Sequence, residues 1–139
     1  MRDLILENLK TRFAAYDDLA LELDDAALDA RIDVPKYKSL KEHLWCVVGA
    51  RESYAKALKA GAWKGFACSM TALSTDDFKT ALKSSAVGVV NAANAVQDWT
   101  EEHDRLLATL SEHEVMHEGQ IIRHVYAVNG GLPPSWKWA

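Results

Sequence analysis

Apolar residues recur along the chain at steps of three and four, the period of an amphipathic helix, and strand-like alternation is scarce. The first helix is expected over about 3–23, with Ile5, Leu9, Phe13, Tyr16 and Ala20 on one face and Asp24-Asp25 ending it. A short turn or helical fragment follows over 26–31. Pro35 then favours an extended connection, because the residue before a proline avoids helical angles. Ser39 with Glu42 three residues on forms a capping box. The helix it opens carries Leu40, Leu44, Val47, Arg51, Tyr54 and Leu58 on one face, and Gly61 stops it. Residues 62–73 read as a loop. Ser74-Thr75-Asp76-Asp77 sets acids at the positive end of a third helix, which runs through Phe78, Leu82, Val89, Val90 and Ala93 and ends between Asn94 and Thr100. The clearest helix spans about 101–128, with Leu107, Leu110, Ile121, Val125 and Val128 on one arc and Asn129-Gly130-Gly131 at its end. Four long helices with connections of mixed length predict an all-α protein, a four-helix bundle in one domain over 1–139. The tail at Trp136 and Trp138 is expected to pack back on the bundle through an indole.

Composition narrows the partners. The chain of 139 residues is 49% hydrophobic, enough for a real core, and carries a net charge of -4 with no basic block. Phosphate binding needs a basic face, so nucleic acid is not the expected partner. Charges at Arg2, Asp3 and Glu7 interrupt any signal-peptide run, and no apolar stretch approaches the roughly 20 residues that span a bilayer. The chain therefore reads as cytoplasmic, with no membrane partner. Its two cysteines, Cys46 and Cys68, suit a reducing compartment, and a disulfide is unneeded at this size.

The stretch richest in chemistry is His113-Glu114-Val115-Met116-His117-Glu118-Gly119-Gln120. Two histidines four apart stack on one helix face, about 6 Å along the axis, and both sit at the edge of the apolar arc. Neutral imidazole is a common transition-metal ligand, so the pair is a candidate metal grip. The same string matches the zincin signature, in which Glu114 would be the base. A zincin needs a third ligand downstream, however. No glutamate follows Glu118, and His124 lies about 16 Å along the axis from His113. A third ligand should come from another helix, where His43 and Cys46 stand about one turn apart. Glu114 and Glu118 are read either as partners orienting a histidine or as solvated helix charges, the latter favoured for Glu118. Gln120 is expected to bond across the bundle. Arg51, on the inward face, suits a substrate carboxylate or a buried acid.

These residues resemble the DinB-like (DinB/YfiT) superfamily. The similarity lies in Ser39-Leu40-Lys41-Glu42-His43-Leu44-Trp45-Cys46, in the histidine–x3–histidine–x–Gly-Gln run from His113 to Gln120, and in Gly130-Gly131-Leu132-Pro133-Pro134-Ser135-Trp136. The resemblance implies a four-helix bundle, commonly a homodimer, whose three histidines hold a divalent metal such as zinc or nickel with water in open positions. His113 and His117 match two of those ligands. The family's helix-two histidine falls at Cys46, so three possibilities stand: Cys46 is a thiolate ligand, His43 substitutes from one turn earlier, or the metal is lost. A Cys-His-His set favours zinc.

The resemblance further implies a metal-dependent enzyme, a transferase or isomerase acting with a low-molecular-weight thiol on a small-molecule substrate. A metal with an open position would hold the thiol as thiolate and so supply a nucleophile at neutral pH. The missing helix-two histidine supports a different class, a non-catalytic binding or stress-associated module with a degenerate site.

Overall fold

The computed structural model describes residues 1–139 and is all-helical. Its helices are α1 (Arg2–Glu22), α2 (Asp25–Asp29), α3 (Leu40–Ala60), α4 (Thr75–Ala95) and α5 (Glu101–Ala127). The four long helices form the expected bundle, and α2 is the short fragment expected before Pro35. Local chemistry sets the boundaries. The Ser39 and Ser74 side chains each accept from the backbone N–H three residues on, and Glu42 and Asp77 reach back to the cap N–H groups. Gly61 ends α3 at φ 69°, a left-handed conformation that glycine adopts without steric cost. No helix is long and apolar enough to cross a membrane.

In the bundle α1 and α3 each pack against both α4 and α5. The contacts also give the chain directions. His43 near the start of α3 meets His117 late in α5, while Gly61 at its end faces His103 early in α5. Leu44 and Phe78 share one core cluster, and Leu58 and Ala93 share the other, so α3 and α4 run the same way. The order is up-down-down-up. Joining two parallel helices requires a return, and the segment between α3 and α4 supplies it by running back along α3. Ser53 Oγ bonds the N–H and the carbonyl of Ala67, Glu52 accepts from Ser69, and Trp45 Nε1 donates to the Met70 carbonyl. Gly49 makes room for this return. A Cβ there would overlap the Phe66 ring and lie 2.8 Å from the Cys68 Cβ.

Two layers of core fill the bundle. One joins Leu6, Leu9, Phe13, Leu58, Val89 and Leu107. The other joins Tyr16, Leu19, Leu44, Val47, Phe78 and Ile121. On α1 the buried position is Leu6, with Ile5 only partly covered, and Val128 is exposed rather than part of the α5 arc. The tail does return. Trp136 is buried, donates to the Ala15 carbonyl at 2.7 Å and meets the Tyr16 ring edge-on. Both cysteines are free thiols.

Between the two layers lies a fully buried ion pair. Arg51 Nε and Nη2 donate to the two carboxylate oxygens of Glu114 at 2.7 and 2.8 Å, and Nη1 donates to the Leu82 carbonyl at 3.1 Å. The guanidinium lies over Phe13 and Tyr16 at 4.4 and 5.0 Å from their ring centres. All four long helices thus meet at one side chain. Arg51 takes the buried-acid role of the two its position allowed. Removing one partner of a buried pair strands the other charge and costs about 3–5 kcal/mol, whereas an apolar pair of similar volume can match it. Arg51→Met and Glu114→Leu should each lose about that much unfolding free energy in urea titrations, and the double variant should recover most of it. Single variants within about 1 kcal/mol of the parent would show that the pair is not a structural centre.

Candidate metal centre

The Arg51–Glu114 pair fixes the rotation of α5 and thereby what its neighbours face. With about 100° per residue, His113 and His117 fall about 100° and 60° to one side of Glu114, and Glu118 about 40° to the other. The first side is occupied by α3 and the second by α1. Accordingly Cys46 Sγ of α3 lies 3.6 Å from His113 Nε2, and His43 Nδ1 lies 2.9 Å from His117 Nδ1. On the other side Arg12 of α1 donates to Glu118 at 3.0 Å. One donor atom each from Cys46, His113 and His117 lie within 4.8 Å of one another. The structure therefore brings together all four candidate ligands and separates their places. Cys46, His113 and His117 form the cluster that could hold a metal ion, and His43 stands behind His117.

The donor set fits zinc. Bond lengths of about 2.3 Å to sulfur and 2.0–2.1 Å to nitrogen give a tetrahedral S–N edge of about 3.5 Å, close to the Cys46–His113 contact of 3.6 Å. His117 Nε2 is buried with no hydrogen-bond partner, and so is His113 Nδ1. An imidazole nitrogen without a partner in the interior carries an uncompensated desolvation cost, which a cation in the cluster would relieve at His117 Nε2. A cation on Nε2 of His117 would leave the proton on Nδ1, facing His43 Nδ1. Ligating histidines are commonly oriented by such an outer hydrogen bond.

Electrostatics keeps the rings neutral. Burial, with His113 and His43 adding to it, pushes the His117 pKa down to about 3, and burial with Lys38 nearby pushes His43 down to about 4. Burial lowers His113 as well, and it raises the Cys46 thiol, so Cys46 is protonated at neutral pH in the metal-free protein.

Glu114 and Glu118 are not solvated helix charges. Both are buried, and burial raises the Glu118 pKa, with Arg12 opposing the rise. Glu114 spends both oxygens on Arg51, which leaves no free carboxylate to act as the base of a zincin site. Gln120 is exposed, and it is its backbone carbonyl, not its amide, that takes the Tyr37 hydroxyl at 3.5 Å. His124 is buried outside the cluster, stacked on Tyr37 with both ring nitrogens unpartnered. His103 lies apart, where its Nδ1 accepts from the Thr100 N–H.

A cavity of about 290 Å³ opens beside the cluster, lined by Lys36, Tyr37, Lys38, His43, Met116, His117 and Gln120. Sequence reading gave no role to Lys36, Tyr37 or Lys38, which lie on the connection before α3. No protein-family model matches the chain, and no curated protein matches its sequence.

The depressed histidines make stability pH-dependent. In the unfolded chain an imidazole titrates near 6.5, and in the fold His43 and His117 do so only near 4 and 3. Well above pH 6.5 neither state is protonated and the stability is fully present. As pH falls from 6.5 towards 3 the unfolded chain binds protons that the fold refuses, so unfolding free energy drops. Metal-free protein should lose at least about 1 kcal/mol between pH 7.5 and 5.5 in urea titrations. His43→Phe and His117→Phe together should flatten that slope, and an equal slope in the double variant would refute the assignment.

Proposed function

We propose that this chain is a DinB-like metalloprotein in which Cys46, His113 and His117 hold a divalent ion, zinc by preference. The observation that carries the reading is the convergence of a thiol and two imidazoles from α3 and α5 beside a cavity, with unpartnered ring nitrogens in the interior. Three protein ligands leave a position open, as in catalytic rather than structural zinc sites. The activity proposed with it is a transferase or isomerase reaction using a low-molecular-weight thiol, in which the metal, when bound, would keep that thiol ionised at neutral pH. The protein's own residues would divide the remaining work. His43 orients His117, Arg51–Glu114 fixes the presentation of α5, and the cavity beside His43 and His117 admits the small molecule. A homodimer belongs to the same proposal through the resemblance.

The non-catalytic alternative predicts no metal. Stoichiometric zinc in the purified protein, lost on His117→Ala, supports the enzyme reading. Cobalt substitution distinguishes the ligands. A sulfur-to-cobalt charge-transfer band should be present in the wild type, vanish in Cys46→Ser and survive in His43→Ala. Because Cys46 begins as a thiol, zinc binding at pH 7 should release about one proton, read by calorimetry in buffers of different ionisation enthalpy. Protein that takes up no zinc or nickel between pH 7 and 8 would overturn the proposal.

A further inference from the structure

We infer that the cavity beside the cluster selects a small organic anion, whose acidic head, a carboxylate or phosphate, is held by Lys36 and Lys38 while its other end points at His43 and His117. The inference rests on the metal-centre reading only for what that far end reaches; the anion site stands on its own residues.

Four observations converge. The seven lining residues include two ammonium groups and no acid, in a chain whose net charge is -4. Neither Lys36 nor Lys38 has a carboxylate partner, whereas Lys41, the second residue of α3, is bound to Asp29. The inner wall is made by His43 and His117, 3% and 1% exposed, and His43 Nε2, which the metal cluster does not use, has no partner. A buried, unsatisfied ring nitrogen on the wall of a cavity is a hydrogen-bonding handle for an occupant.

The backbone supplies the fourth observation. Tyr37 N–H bonds to the Val34 carbonyl at 3.1 Å, closing a tight turn with Pro35 and Lys36 at its centre. Lys36 has φ 64°, the conformation that the third position of a type II turn requires and that glycine or asparagine normally supplies. A lysine there accepts steric strain that glycine would remove. The turn sets its ammonium at the cavity mouth, and Tyr37 closes the side by its bond to the Gln120 carbonyl. At about 290 Å³ the space suits a small molecule and not a macromolecule.

The test is a titration of the isotopically labelled full chain with succinate and, separately, glycerol phosphate, followed by backbone amide shifts. Saturable shifts confined to 36–39, His43 and 116–120 are expected, with the tighter probe identifying the head group. Uncharged succinamide should give none. Lys38→Gln should weaken binding at least tenfold, and Lys36→Gly should weaken it while melting no lower than the parent, which separates lost charge from lost fold. Shifts that fail to saturate, that scatter over the surface, that are equal for succinamide or that persist in both variants would overturn the inference. The readout needs no zinc, so its failure leaves the metal centre standing, and a protein without zinc still reports on the anion.

Discussion

The rest of the structure depends on the burial of one guanidinium. Arg51 has no water to hydrate it, so its donors must be spent on protein, and they are spent on the Glu114 carboxylate and the Leu82 carbonyl. Its flat faces are covered by Phe13 and Tyr16. A buried pair of this kind adds little net stability over an apolar substitute, but it discriminates strongly between arrangements, because any rotation of α5 would strand a charge. Glu114 lies between His113 and His117 in sequence. Fixing its azimuth therefore turns both imidazoles to α3 and Glu118 to α1. The arrangement of the Cys46–His113–His117 cluster is thus a consequence of a contact made elsewhere in the bundle.

A second constraint follows from topology. Because α3 and α4 run parallel, the segment joining them must travel the length of the bundle, and it does so along the outer side of α3. There it covers Trp45 and places Cys68 against the Trp45 carbonyl, one residue before Cys46. The connection before α3 covers the other approach. Its tight turn brings Lys36, Tyr37 and Lys38 to the rim of the cavity that His43 and His117 close from within. The cluster is therefore flanked by two irregular segments on a helical frame that holds its candidate ligands.

Much of this was legible in the sequence where the signal is local. The capping boxes at Ser39 and Ser74 involve residues three apart, and Gly61 marks a stop through its own backbone, so helix boundaries fell within a few residues of those observed. The spacing of His113 and His117 is also local, and it placed the pair on one face. What could not be read was the far side of each contact. Arg51 and Glu114 are 63 residues apart, and nothing in either neighbourhood names the other. Glu118 resembled a solvated charge because its partner, Arg12, lies on a helix more than a hundred residues earlier. Whether His43 or Cys46 stands nearer the histidine pair depends on the relative rotation of two helices, which a one-dimensional pattern leaves open. The turn at Lys36 escaped notice because its left-handed residue is a lysine, not the glycine that would have announced it.

Zinc-edge anomalous diffraction from crystals of the full chain grown with zinc tests the account most directly. One peak bonded to Cys46 Sγ, His113 Nε2 and His117 Nε2, with Arg51 still clasping Glu114 and His43 still behind His117, is the expected result. A peak held by His43 in place of Cys46, or no peak between these side chains at full zinc occupancy of the buffer, would contradict it.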